Sequence, residues 1–479
     1  MSARTAVAAI LGVPATAWPH AFDDRYDLPV PLAYFVAGAA AVVGLSFVVI
    51  AVFVRRAPPL TTAQGLVLSL GPVLPVLRAL CRGIALVLFT LTMVAGLFGT
   101  GDPMMNLAPT MVWIIAWVGL SLAVACLGNL WPALDPWRTL FAILDAAARR
   151  LGRASGIAFN CAYPPAVGAW PAVFLLLAIA WFEVVYPQAA VPYRLAWTLL
   201  GWSALTLAGM VCFGRAAWQR NADVFAVYFA TLGRFAPIAA GNDARCLVLR
   251  PPGRGLITTT AGSNAMVCFV IAMLSTVLFD GLLGGQAWSL IQVRLARAVP
   301  LLVDENGYRL GACGLIGVWC VFLGAYLLTC RITAMLVHGQ RTQTIAQAFA
   351  FTLVPIAIAY NIAHNCSTLL VQGQQLIPLL SDPLGLKWNI FGTANFRADI
   401  GLIDARVAWF VAIGAIVAGH VMAIWLAHRV ALREFGAAKS AAVAALPLTV
   451  LMVAYTAISL AVIAEPMVRF DPPDAVISR

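Results

Sequence analysis

Charge is scarce in this sequence. Asp, Glu, Lys and Arg make up only 10% of its 479 residues, and 62% are hydrophobic; a soluble protein carries roughly 25% charged residues. So small a polar complement cannot cover a water-exposed surface, which excludes an ordinary soluble domain. The apolar runs are continuous and do not alternate with polar residues, so spanning helices are expected and barrel strands are not. Histidine is rarer still, with five in the chain, too few for a multi-histidine di-metal centre built from this chain alone. The ten cysteines are scattered and none form C-x-x-C, which speaks against a finger-type zinc site or a disulfide framework. There is no G-x-S-x-G, H-E-x-x-H, P-loop or G-x-G-x-x-G, so serine-hydrolase, zincin and nucleotide-driven mechanisms lack local support.

What is present is a series of apolar stretches, at about 33–54, 83–100, 109–128, 166–186, 195–214, 259–279, 310–330, 348–371, 406–427 and 441–463. Each is near the ~20 residues needed to cross a bilayer. The expected fold is all-α, a polytopic transmembrane helical bundle of about ten spans. Residues 20–479 form one transmembrane domain, with no soluble domain and no internal repeat. Inner-surface amphipathic segments are expected near 131–160 and 215–256, the second with a helix around Asp223 to Phe235. The segment 372–405, rich in Gly, Pro, Asp and aromatics, is expected as a structured outer loop.

The net charge of +11 reads as a topology signal, because the basic residues fall in short loops between apolar runs. With no basic-aromatic module, nucleic acid is not an expected partner. The cations cluster on one side, from Arg55 and Arg56 through Arg138 and Arg149 to Arg429, Arg433 and Lys439. Of the acids, only Asp135, Asp145, Asp223, Asp243 and Glu434 share that side. The positive-inside rule then places the N-terminus on the periplasmic face of a bacterial inner membrane. Residues 1–19 resemble a signal peptide, with Ala15-Thr16-Ala17 as a cleavage site, or remain as an uncleaved exported segment.

Polar groups inside spans are costly and call for a reason. The eighth span holds Tyr360, Asn361, His364, Asn365, Ser367, Thr368 and Gln372. Asn361, Asn365, Thr368 and Gln372 share one stripe, either the wall of a substrate pocket or interhelical glue. His364 borders it as a candidate base or ligand. Glu183, at the end of an apolar span, is a candidate acid, as is Asp382, with Asp399 and Asp404 as alternatives. Asp280 is a further outer acid. His20, Asp23, Asp24 and Asp27 could join His364 to bind a divalent metal of unknown identity and generate hydroxide; a solvated acidic rim is the plain alternative. A bis-histidine haem on His364 and His420 is disfavoured by a depth mismatch of roughly 10 Å, at 1.5 Å per residue.

Several stretches carry a resemblance. They are His20-Ala21-Phe22-Asp23-Asp24-Arg25-Tyr26-Asp27, Tyr228-Phe229-Ala230-Thr231-Leu232-Gly233-Arg234-Phe235, Val354-Pro355 running through His364, Ser381-Asp382-Pro383-Leu384-Gly385, Phe391-Gly392-Thr393-Ala394, and Gly419-His420 continuing to His428. Together, over about residues 20 to 435, they resemble the bacterial integral-membrane fenitrothion hydrolase family, in particular its larger subunit. The resemblance implies hydrolysis of an organophosphorus triester to a nitrophenol and a dialkyl thiophosphate, and a second, smaller integral-membrane subunit as partner. An apolar substrate of this kind partitions into the lipid bilayer and can reach a site from it. The rival expectations are a small-molecule transporter and a metal-binding or redox membrane protein.

Overall fold

The computed structural model describes residues 28–56, 65–337 and 339–467; the signal-like residues 1–19 and the segment His20 to Asp27 lie outside them. Among the described residues nine helices are long and apolar enough to cross a membrane. They are α1 (Leu32–Phe53), α2 (Val73–Phe98), α3 (Leu107–Leu127), α7 (Pro192–Phe213), α10 (Asn264–Leu283), α12 (Tyr308–Leu336), α13 (Thr342–Ser381), α14 (Ala405–Phe435) and α15 (Ala438–Met467). Between them lie α5 (Pro136–Arg150), preceded by the single turn α4 (Trp131–Leu134), the short apolar α6 (Trp170–Val184), α8 (Arg215–Asn221), α9 (Val224–Gly233) and α11 (Gln286–Ala298). The chain is thus an all-α polytopic membrane bundle. The stretch expected to span at 166–186 is the 15-residue α6, which at 1.5 Å per residue falls short of a ~30 Å hydrocarbon core.

Cross-links between distant segments identify the two ends of the bundle. At one end, strand β1 (Leu66–Ser69) pairs antiparallel with β3 (Cys246–Leu249), which also pairs with β2 (Ile238–Ala240). There too His428 Nε2 meets the Val54 carbonyl at 2.8 Å. We call this the basic end. At the other, the acid end, the Thr100 amide donates to Leu384 O at 2.7 Å and the Leu107 amide to Pro383 O at 3.2 Å. The small sheet adds to the all-helical expectation; its strands sit in connecting segments and carry no core.

Burial is graded as lipid solvation requires. The apolar stretch of α13 is 83% buried and that of α10 72%, against 17% in α1 and 22% in α2. Outer helices can leave Leu, Val and Phe exposed because lipid is as apolar as they are, whereas α13, which carries the polar residues from Tyr360 to Gln372, is enclosed. Gly419 lets α14 approach α13 closely, since a Cβ there would meet Ala359 and the Pro355 carbonyl. Pro355 lies in the first turn of the α-helical run Val354–Gln372, just after a 3-10 turn at Ala350–Leu353; its missing N–H is least costly there.

Three expectations change. The helix around Asp223 to Phe235 is not an amphipathic surface element: Val224, Val227, Tyr228, Phe229, Leu232 and Gly233 of α9 are buried in the bundle, because its composition is apolar all round. The outer loop does not start at 372. A 3-10 turn at Gly373–Gln375 and a helical turn at Leu376–Ser381 prolong α13, so the irregular segment begins at Asp382. Between the spans expected at 259–279 and 310–330, where no element is expected, lies the amphipathic helix α11, pinned by Trp288 against Phe279, with ring centroids 5.1 Å apart.

Candidate functional site

Near the acid end, α3, α6, α10 and α13 converge. Residues Thr110–Gly119 of α3 form a ten-residue π-helix. π-helices are rare and usually only one turn long, and they cluster at functional sites. The wider winding aims two indoles away from the lipid. Trp113 Nε1 donates to the Ala189 carbonyl at 3.1 Å. Trp117 Nε1 donates to Glu183 Oε2 at 3.0 Å, and its ring stacks on Tyr228 at 5.0 Å. The buried position of α9 is what brings Tyr228 to this indole.

Asp280 lies three residues before the end of α10, and His364 lies in the middle of α13. Their side chains meet, with His364 Nε2 2.9 Å from Asp280 Oδ2 and side-chain exposures of 17% and 34%. The Tyr360 ring stacks on the His364 ring at 6.2 Å, as residues four apart on a helix do. The Tyr360 hydroxyl is buried without a hydrogen-bond partner. It fits because position 281 is glycine; a Cβ there would collide with that hydroxyl. Glu183 and Tyr360 both lie within electrostatic reach of Asp280. The result is an imidazole, two carboxylates, a phenol and an indole N–H in one place, in a medium where each polar group needs a partner.

The arrangement can handle protons. A carboxylate that accepts from one imidazole nitrogen orients the ring and raises the basicity of the other, the arrangement general-base catalysis uses. Here Asp280 occupies Nε2 and leaves Nδ1 as the basic position.

The sequence-predicted residues divide into groups. Glu183, His364 and Tyr360 come together, joined by Asp280. Asn361 and Ser367 are buried, while Asn365, Thr368 and Gln372 are half-buried on the same helix. Asn361 Oδ1 and Gln372 Oε1 are buried without a partner. A cavity of about 10 Å³ borders α13 at Ile356, Ala357 and Tyr360, on the face next to the polar stripe. It has room for one water, and none of the stripe residues Asn361, Asn365, Thr368 and Gln372 lines it.

Asp382 is a correction. Its carboxylate accepts the backbone N–H groups of Leu386 at 2.9 Å and Lys387 at 2.7 Å, and so closes the turn that holds Lys387 at positive φ. Asp399 and Asp404 likewise accept from Gly401 and Val407 N–H groups. Each of these three carboxylates thus accepts from backbone, Asp382 through both of its oxygens. His20, Asp23, Asp24 and Asp27 lie outside the described residues. Among the described residues no group of three or more His, Cys, Asp and Glu is arranged to hold a metal ion. His420 and His428 bind the Ile416 and Val54 carbonyls, each at 2.8 Å, away from His364.

Sequence reasoning underrated Asp280 and missed Trp117 and Tyr228. Asp280 ends an apolar span just as Glu183 does, so the argument that selected Glu183 applies equally to it. No pattern marks Trp117 or Tyr228, because the π-helix and the inward course of α9 are tertiary outcomes. Comparison with protein-family models, curated proteins and solved structures finds no match for this chain.

Proposed function

We propose that the chain is a membrane-embedded hydrolase of apolar organophosphorus triesters, with His364 activating water and Asp280 orienting it. The observation that carries this reading is the His364–Asp280 pair at 2.9 Å, beside Glu183 and a Tyr360 hydroxyl that has no partner. In the proposed step, His364 takes a proton from water as the oxygen attacks phosphorus. The P–O bond to the aryl group breaks, and the nitrophenolate leaves with the electron pair. The Tyr360 hydroxyl donates to the oxygen or sulfur that gains negative charge on phosphorus. Substrate enters from the bilayer, and the 10 Å³ cavity at Tyr360 requires side chains to part for it. The resemblance of the sequence to fenitrothion hydrolases sets the substrate class. The proposal also includes a bacterial inner membrane, a periplasmic acid end and a second, smaller membrane subunit.

The test is nitrophenol release from membranes carrying the full complex, with and without chelator. His364→Ala is expected to lower turnover by about 100-fold or more, the scale of a lost general base. Near-normal turnover in His364→Ala, or none in the wild type, overturns the reading. Loss of activity on chelation alone would shift the water-activating role to a divalent metal.

A second reading, proton-coupled transport of a small molecule, is favoured by one feature: α13 is interrupted by 3-10 turns at Ala350–Leu353 and Gly373–Gln375, as helices lining transport sites often are. Uptake into proteoliposomes driven by a pH gradient, lost in His364→Ala, would decide for it.

A further inference from the structure

At the basic end three helices each bring one arginine to a common place. Arg82 lies on the first half of α2, Arg138 in the first turn of α5, and Arg215 begins α8. The helices are fastened there by side chains. Phe89 of α2 packs edge-on against Trp137 at 5.3 Å, and Trp137 Nε1 donates to Ser203 Oγ of α7 at 2.8 Å. Gln219 of α8 donates to Asp135, the residue capping α5. All three arginines are half-buried, and Arg82 Nε is buried without a hydrogen-bond partner. The three are close enough to act on one another: burial first, then the charges of Arg215 and Arg82, hold the Arg138 guanidinium below its ordinary range.

Of the carboxylates nearby, Asp135 attracts Arg138, so the three positive charges are offset only in part. Asp135 accepts from the Arg138 backbone N–H and from Gln219, and burial pushes its carboxyl up to about 6. Asp223, which acts on Asp135, caps α9 and is itself raised to about 7 by burial and by Asp135. Asp145, within reach of Arg215, is taken by Arg149 at 3.0 Å and by the Ile157 N–H at 2.8 Å. Three cations therefore converge where the spans end and α5 lies across them. Leu80, Ile84 and Val87 of α2 and Ile143 and Leu144 of α5 are exposed on the faces of those helices turned away from Arg82 and Arg138.

We infer that Arg82, Arg138 and Arg215 hold the phosphate of an anionic lipid headgroup at the basic end of the bundle. Guanidinium forks match phosphate oxygens in geometry and charge. A phosphate supplies the buried Arg82 Nε with the acceptor it lacks, and each such cation near a membrane surface favours anionic lipid. A soluble phosphate would satisfy the same forks; the place of the site at the end of membrane spans is what commits it to lipid.

The experiment uses the full-length protein, stripped of lipid in neutral detergent and exposed to phosphatidylcholine, phosphatidylglycerol or inorganic phosphate. Retained lipid is counted by native mass spectrometry, and thermal midpoints are recorded in parallel. Phosphatidylglycerol is expected to be retained about tenfold over phosphatidylcholine. Arg82→Gln with Arg215→Gln is expected to abolish that preference; Arg215→Gln alone, at the half-exposed start of α8, carries the test if the double variant does not fold. Equal retention of the two lipids, or an unchanged preference in a folded variant, overturns the inference. Stabilisation by inorganic phosphate without phosphatidylglycerol preference also overturns it, and makes the site one for soluble phosphate.

Discussion

Two pairs of carboxylates stand at opposite ends of this bundle, a half-buried pair at the acid end and a fully buried pair at the basic end. At the acid end, Glu183 and Asp280 bond to side chains: the Trp117 indole and the His364 imidazole. At the basic end, Asp135 and Asp223 each cap a helix, Asp135 accepting from Arg138 N at 3.0 Å and Asp223 from Ala226 N at 3.1 Å, while Gln219 donates to the other Asp135 oxygen and Asp223 Oδ2 is buried without a partner. Both of the latter sit in nearly identical conformations, φ −70° with ψ 109° and 108°, the extended geometry of a helix N-cap. Depth of burial therefore does not mark the working carboxylate, since the fully buried pair is the one that caps helices. What distinguishes them is where the acceptor capacity goes. A cap spends it on amides that cannot move, whereas a carboxylate facing an imidazole keeps a partner whose protonation can change. Asp382, Asp399 and Asp404 fall with the caps by the same criterion, although their exposure and their place in an acidic segment suggest chemistry.

The comparison can be broken most directly by removing charge at both ends. Asp280→Asn is expected to cut nitrophenol release by about 100-fold through loss of imidazole orientation, while Asp223→Asn leaves it within about twofold; equal losses would dissolve the distinction. The next effect is on pH. Burial raises the folded values of Asp135 to about 6 and Asp223 to about 7, from an ordinary 3.8. A raised carboxyl contributes stability that is fully present below the unfolded value and is lost as pH rises through the folded one. The thermal midpoint in detergent should therefore fall between pH 4 and pH 8. The loss is on the order of 3 kcal/mol for Asp135, at roughly 1.4 kcal/mol per unit. Asn caps without titrating, so the double Asn variant should flatten the profile; an unchanged slope would place its origin elsewhere.

Smaller effects sharpen the same contrast. Asp135→Ala and Asp223→Ala, which remove the caps, should each lower stability by about 1–2 kcal/mol, and Asn should restore most of it. Trp117→Phe keeps an aromatic ring for Tyr228 but removes the donor to Glu183. It should lower the unfolding midpoint modestly, by about 1–2 kcal/mol in equivalent stability. A shift no larger than in Trp113→Phe, which loses a bond to a backbone carbonyl, would mean that Glu183 is not special among the acceptors at this end.

Much of this was legible in the chain. Hydropathy located the spans to within a few residues at most ends, because the length and apolarity of a crossing are properties of local composition. The chief slips were at α2, which starts at Val73 and so carries Arg78 and Arg82 on helix, at the far ends of α13 and α14, which run on to Ser381 and Phe435, and at α6, where apolarity overstated length. Arginine stems run along apolar surface while their heads reach the interface, so a charge count places the helix end too late. The candidate site was half legible. His364, Glu183 and Tyr360 stood out as polar groups in apolar spans, and Asp280 met the same test, but their mutual contact joins residues about 180 positions apart.

The sequence by itself determined the class of this protein and the polarity of its charge: a multi-pass helical bundle with basic and acidic ends, since solvation of backbone and side chains by lipid depends on composition alone. Tertiary structure decided which carboxylates cap helices and which face an imidazole. It also decided that α9 turns inward and that α3 winds as a π-helix to present Trp117. Those outcomes depend on which helices come to lie side by side, and that is set by packing between residues far apart in the chain, which no local pattern records.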